Sequence, residues 1–115
     1  MYPADTAQMY GNEEEAGRAM RESGLARKDV FITTKYSGSN GLDIGTSIHN
    51  SLKNVRPPPS LFYGAHEREL TISYVVKLGV EYVDLYLIHH PRLARPDIPT
   101  AWAEMEAIKR AGLAK

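Results

Sequence analysis

The sequence predicts an α/β fold with a parallel sheet and right-handed crossovers, on three observations. Residues 82–91 form an apolar and aromatic run, rich in β-formers, with one acid inside it. That is the pattern of a strand buried on both faces. Residues 29–35 form a second, shorter run of the same kind. After each run, apolar residues recur at helical spacing: Ile44, Ile48 and Leu52 in one place, Ala101, Met105 and Ile108 in another. The chain has 115 residues, enough for one small domain with a modest core.

Residues 1–10 read as the tail of a strand running into a loop, with Pro3 arguing against a central strand and Asp5 and Tyr10 as polar members. Asn12 is a fair N-cap for a first helix, and Glu13, Glu14 and Glu15 suit a solvated first turn at the positive end of its dipole. Ala16, Ala19 and Met20 supply its apolar stripe, Arg18 and Arg21 face solvent, and Gly24 ends it. In the strand of residues 29–35, alternation places Phe31, Thr33 and Lys35 on one face. A glycine- and serine-rich loop, residues 37–41, follows, and Asp43 caps the second helix, whose stripe extends toward Val55. Pro57, Pro58 and Pro59 stop that helix.

Residues 55–77 belong to no strand–helix rhythm, and within them residues 70–76 are uncharged, β-prone and free of proline. Regular pattern resumes at Leu78 and leads into the long apolar run. There Val83, Leu85, Leu87 and His89 share one face, and Asp84, Tyr86, Ile88 and His90 the other. After Pro91, Pro99 suits the first turn of a third helix with Trp102 beside its stripe; Lys109 and Arg110 suit its last turn and Gly112 its end. A further strand is expected where the sequence stops.

Basic and acidic residues number 14 each, so net charge makes no case for nucleic acid or an anionic membrane surface. The absence of cysteine excludes disulfides and thiolate metal sites and fits a reducing compartment. No apolar run is long enough to span a bilayer, and no export signal is visible, so the expectation is a cytoplasmic protein.

Four polar residues fall at or just beyond the carboxyl ends of successive strands: Asp5, Tyr10, Lys35 and His89. A lone histidine at a strand end is by default a hydrogen-bonded loop residue, and a lone lysine there a solvated edge charge. Together with a phenol and a carboxylate they form an acid-catalysis set. A phenol titrating near about 10 is a poor proton donor to a carbonyl at neutral pH. A neighbouring ammonium lowers that value by favouring phenolate, and a carboxylate holds the ammonium in place.

The residues around this set resemble the aldo-keto reductases. The segment from Asp5 through Tyr10 to Glu13 resembles the family's first signature; Ile32-Thr33-Thr34-Lys35 resembles the strand end carrying its lysine. Val83-Asp84-Leu85-Tyr86-Leu87-Ile88-His89, followed by His90 in a variable slot and Pro91, resembles the strand delivering its histidine. The resemblance covers residues 5–54 and 78–115. It implies a partial (β/α)8 TIM barrel, from about the end of the second barrel strand through the fourth helix, with its site at the carboxyl face. It implies NADPH-dependent reduction of an aldehyde or ketone to an alcohol. Tyr10 would protonate the carbonyl oxygen, Lys35 would favour the phenolate left behind, Asp5 would pair with Lys35 and touch the cofactor, and His89 would orient the carbonyl. The remaining segments that grip the nicotinamide and adenosine phosphate fall outside these residues, so the isolated chain is expected to be inactive.

Residues 55–77 have no counterpart in the family, and removing them joins Asn54 to Leu78 in a family-like junction. Residues 1–115 are therefore expected to be one partial NADP-dependent oxidoreductase domain interrupted at 55–77. The interruption reads as a translated intron: Val55-Arg56 can be encoded by a donor-like splice sequence and Leu70-Thr71 by a branch-point-like one. A true surface insertion is the alternative. Two other function classes remain: a non-catalytic truncated or regulatory barrel fragment, and a metal-dependent hydrolase using His89 and His90. Adjacent strand residues point to opposite faces, so that histidine pair chelates poorly, and neither His49 nor His66 has ligand spacing.

Overall fold

A computed structural model describes residues 1–39, 41–53 and 78–115. Expectations that fall on residues 54–77 (the interruption, its prolines, its β-prone window, His66 and the extension to Val55) lie outside the described residues. Strands and helices alternate as β1 (Tyr2–Asp5), α1 (Glu13–Glu22), β2 (Val30–Tyr36), α2 (Ile44–Leu52), β3 (Leu85–Ile88) and α3 (Ile98–Arg110). The sheet has the order β1-β2-β3 and both pairings are parallel. Pro3 is accommodated because β1 lies at the edge of this sheet.

Alternation along β2 sends Ile32 and Thr34 into the core and leaves Phe31, Thr33 and Lys35 on the opposite face. The core side is filled by Ile44, Ile48 and Leu52 of α2, Ala101 and Ile108 of α3, and Tyr86 of β3. Both helices begin on an aspartate that accepts a backbone N–H, Asp43 from Thr46 at 2.7 Å and Asp97 from Thr100 at 2.8 Å. Those bonds hold both carboxyls below their ordinary range.

Five expectations need correction. The run at 82–91 is a shorter strand buried on one face only: Leu85 and Leu87 are each 38% exposed, because no described element packs on their side of the sheet. Val83 does not share their exposure. It is fully buried and bridged in parallel to Ala114, whose segment returns after α3 to begin a further parallel pairing. In α1 the inward stripe is Glu13, Ala16, Gly17 and Met20, with Ala19 exposed. The glutamate run is accordingly not all solvated: Glu13 is only 4% exposed and accepts a hydrogen bond from the Thr34 hydroxyl at 2.5 Å. Finally, Asn12 occupies the N-cap position but does not cap with its side chain. Its amide instead accepts from the Ala7 N–H at 3.4 Å and donates to the Asp5 carbonyl at 3.5 Å, tying the loop after β1 to the start of the helix. Arg21 is exposed, as expected, and its guanidinium also reaches the Leu78 carbonyl at 3.1 Å.

At the amino end of the sheet, Asp84 fixes β3 against β2. One carboxylate oxygen accepts from the Ile32 N–H at 2.9 Å and from the Arg27 guanidinium at 2.8 Å. Arg27 also donates to the Val30 and Tyr82 carbonyls and stacks 4.1 Å from the Tyr82 ring centre. This clamp sets the register that carries the carboxyl ends of the strands to one place.

Candidate active site

Asp5 ends β1, Lys35 is the penultimate residue of β2, and His89 follows β3 directly. The registers Asp5↔Thr33 and Lys35↔Leu87 put Lys35 two residues beyond Asp5 and set His89 beside Ser37. Tyr10 comes from a short 3₁₀ turn, Gln8–Tyr10, which Gly11 closes at φ +65°, a left-handed conformation that favours glycine.

The side chains meet. The Lys35 ammonium donates to Asp5 Oδ1 at 2.6 Å, to the Thr6 carbonyl at 3.3 Å and to the Tyr10 hydroxyl at 3.4 Å. It also lies 4.7 Å from the centre of the Tyr10 ring. The Tyr10 and His89 rings sit edge to face, 5.4 Å apart and nearly perpendicular at 89°. The His89 backbone N–H donates to the Tyr36 carbonyl at 2.9 Å, which fixes where that ring begins. All four sequence-predicted residues are thus in one cluster.

Exposure is unequal within it: the Lys35 side chain is 13% accessible and that of Asp5 69%. Burial by itself lowers Lys35, but the hydrogen bonds and charges of Asp5 and Tyr10 outweigh it and hold the ammonium above its ordinary value. Lys35 is therefore a permanent cation at neutral pH, placed against a phenol. Such a set can give a proton to a carbonyl oxygen and stabilise the phenolate that results.

Two residues in contact with the cluster were not anticipated. Ser37, 4% exposed, accepts from the Met9 N–H at 3.0 Å and lies 3.3 Å from His89 Nδ1. Gln8 accepts from the Ser37 N–H at 3.2 Å and donates to the Ser47 carbonyl and the Ser51 hydroxyl of α2. A signal for Ser37 existed, since it continues the Phe31, Thr33, Lys35 alternation by one step. His90 takes no part in the cluster: its ring accepts from the Arg92 N–H at 3.2 Å. Among the described residues no group of three histidine or acidic side chains is placed to hold a metal ion. A cavity of about 480 Å³ lies elsewhere, between the loop before α2, Leu93, Arg95 and Glu104, and none of the four residues lines it. The cluster opens instead on the uncovered side of the sheet. No helix among the described residues is long and apolar enough to cross a membrane.

The sequence pattern of the Aldo/keto reductase family matches residues 3–115. An aldehyde reductase of Saccharomyces cerevisiae, YPR1, is 38% identical over 87 residues, 76% of this chain and 20% of that protein. The methylglyoxal reductase DkgA of Yersinia pestis is 32% identical over 109 residues, 95% of this chain and 31% of that protein. Among solved structures, an aldo/keto reductase from Brucella melitensis superposes with a TM-score of 0.64 at 34% identity, over 97% of this chain and 35% of that one. A Bombyx mori aldo-keto reductase in complex with NADP gives 0.64 at 28% identity, over 97% of this chain and 33% of that one. The chain spans about a fifth to a third of the length of the curated relatives it matches. Its parallel sheet with alternating helices is a partial barrel of their kind.

Proposed function

Because the chain belongs to the aldo/keto reductase family, we propose that it carries the carbonyl-activating part of a site that reduces an aldehyde or ketone to an alcohol with NADPH. The single observation that supports this is the continuous contact from Asp5 through Lys35 to Tyr10, with His89 set edge-on to the phenol. NADPH, when bound, supplies the hydride that adds to the carbonyl carbon. Tyr10 gives its hydroxyl proton to the carbonyl oxygen as negative charge develops there. Lys35, 3.4 Å from that hydroxyl, stabilises the phenolate left behind. Asp5 keeps the ammonium aimed at Tyr10. His89 donates to the carbonyl oxygen and fixes its direction, as an electrostatic complement to the proton donor.

The residues present fit the reacting end of that cofactor. Asp5 uses one carboxylate oxygen for Lys35. Its exposed second oxygen is suited to accept from a hydroxyl of the ribose next to the nicotinamide. Lys35 is the one cation bonded to Asp5 or Tyr10 among the described residues, and it is committed to both. No described residue is assigned to the cofactor's phosphates.

We also infer that residues 1–115 are part of one oxidoreductase domain interrupted at 55–77. In support, Ser51 at the end of α2 accepts a hydrogen bond from the Leu78 N–H at 3.1 Å, so the flanks of the interruption already meet. Grafting tests the functional proposal. This chain, with and without residues 55–77, replaces the matching segment of the Yersinia pestis methylglyoxal reductase, and consumption of NADPH with methylglyoxal is followed. Turnover that Tyr10→Phe lowers by at least about a hundredfold, the range of a general acid, is the expected result. A graft in which Tyr10→Phe turns over as fast as its parent overturns the proposal.

A further inference from the structure

The geometry points to Ser37 as a positioning residue that fixes the proton of His89 on Nε2; this rests on the reductase proposal for its purpose, but not for its test. The Ser37 hydroxyl has one proton to give and two lone pairs to receive with. One lone pair is taken by the Met9 N–H at 3.0 Å, and the hydroxyl lies 3.3 Å from His89 Nδ1. Among the described residues the hydroxyl meets no other acceptor. If Nδ1 carried the ring proton and donated to Ser37, the serine proton would be left without a partner on a side chain that is only 4% exposed. An unmade hydrogen bond on a buried hydroxyl is unfavourable. The arrangement that satisfies every group has Ser37 donating to Nδ1, and a neutral ring with Nδ1 as acceptor bears its proton on Nε2.

The placement is held from several sides. The Ser37 N–H donates to the Gln8 side chain, and Gln8 is anchored on α2 through the Ser47 carbonyl and the Ser51 hydroxyl. The residue after it, Gly38, adopts φ +65°, and a Cβ there would lie 3.1 Å from Leu93 Cδ2. The backbone can therefore turn away directly after Ser37 without a side chain in the gap. Among the described residues Nε2 makes no hydrogen bond, so the proton fixed there is free for an incoming acceptor. A carbonyl oxygen is such an acceptor, and an imidazole presenting an unprotonated nitrogen would repel it. Ser37 does not touch the substrate in this scheme; it acts through His89.

The test is the protonation pattern of the ring, read on the full chain with ¹⁵N-labelled histidine by long-range ¹H–¹⁵N correlation. His49→Gln, His66→Gln and His90→Gln identify the signals, and the pH is kept well above the ordinary imidazole range. The expected result is one pattern, Nε2 protonated and Nδ1 bare, with Ser37→Ala relaxing it to the averaged pattern of a free imidazole and Ser37→Thr, which keeps the hydroxyl, preserving it. A protonated Nδ1 in the unsubstituted chain overturns the proposal, as does a pattern that Ser37→Ala leaves unchanged. Should Ser37→Ala not fold, the comparison of the unsubstituted chain with Ser37→Cys, a weaker donor of similar size, decides in the same way. In the grafted reductase, Ser37→Ala is expected to lower kcat by about three- to tenfold, as for loss of one hydrogen bond, with NADPH affinity unchanged. Because the ring pattern needs no turnover, failure of the reductase proposal leaves it standing, and its own failure leaves Tyr10-dependent turnover untouched.

Discussion

Replacing Asp84 by asparagine or by alanine separates what its charge contributes from what its hydrogen bonds contribute. The side chain is 11% accessible, and one of its oxygens serves both the Ile32 N–H and the Arg27 guanidinium. Asparagine can still accept from Ile32, so its loss is the charge-assisted part of the Arg27 bond. Hydrogen bonds to charged groups contribute about 1.5–3 kcal/mol against about 1 for neutral ones, so Asp84→Asn should cost about 1–2 kcal/mol. Lys115 adds little, being 3.8 Å away on a side chain that is 65% accessible. Alanine removes both bonds, leaving a backbone donor unpaired between strands and a largely covered guanidinium, its side chain 25% accessible, without its counter-charge. Breaking such a pair costs about 3–5 kcal/mol, a large part of the roughly 5–15 kcal/mol that holds a domain. Urea unfolding followed by far-ultraviolet circular dichroism measures both, with the m-value as a check that the unfolded state is unchanged. An alanine variant no less stable than the asparagine variant would refute the assignment, as would losses below about 0.5 kcal/mol in both. The pH dependence supplies the sign. Burial pushes Asp84 up, but the Ile32 N–H, the Arg27 hydrogen bond and charge, and the Lys115 charge outweigh it and hold the carboxyl below its ordinary value. The unfolded chain then binds this proton more readily than the folded one. The contribution is complete above the unfolded value, near about pH 4, and is lost as pH falls through the folded one. Asp84→Asn should remove that part of the acid transition.

Three further outcomes are expected. Lys35→Met in the grafted reductase should lower kcat by about a hundredfold or more and change NADPH affinity only severalfold, since in the proposed reaction Lys35 acts on the Tyr10 proton; cofactor fluorescence titration beside turnover measures the split, and an unchanged kcat would remove Lys35 from the mechanism. Glu13→Ala should cost about 1–3 kcal/mol in urea unfolding by leaving the Thr34 hydroxyl buried and unpaired, whereas Glu14→Ala, on an exposed position, should change stability by less than about 0.5 kcal/mol. The isolated chain, given excess NADPH and methylglyoxal, should consume no more cofactor than its Tyr10→Phe form, because Leu85 and Leu87 face an uncovered side of the sheet and leave the cluster without the support that near-attack geometry needs.

The difference between what the sequence disclosed and what it did not follows the range of the interaction involved. Alternation is local, so the shared face of Phe31, Thr33 and Lys35 and the position of His89 past the last strand residue could be read from neighbours alone. Parallel pairing then brings strand ends together without further information, which is why Asp5, Tyr10, Lys35 and His89 are found in one cluster. Burial is not local. Glu13 has the same immediate neighbours whether its carboxylate meets water or the Thr34 hydroxyl 21 residues away, and a first-turn glutamate agrees with the helix dipole in both cases. The apolar character of Leu85 and Leu87 likewise says which face they occupy, and nothing about whether anything covers it. Val83 shares their alternation but is buried in the core, where residues from beyond α3 return to bridge it. Ser37 stands between the two kinds. Its direction follows from Lys35 by a period of two, but in a loop of serines and glycines its composition suggests a turn and nothing more. What distinguishes it is a ring nitrogen 52 residues later in the chain, the Nδ1 of His89, and a donor 28 residues earlier, the N–H of Met9. In the proposed arrangement a serine held between two such partners has one place for its proton, and that constraint arises only when three separate strand ends are packed side by side.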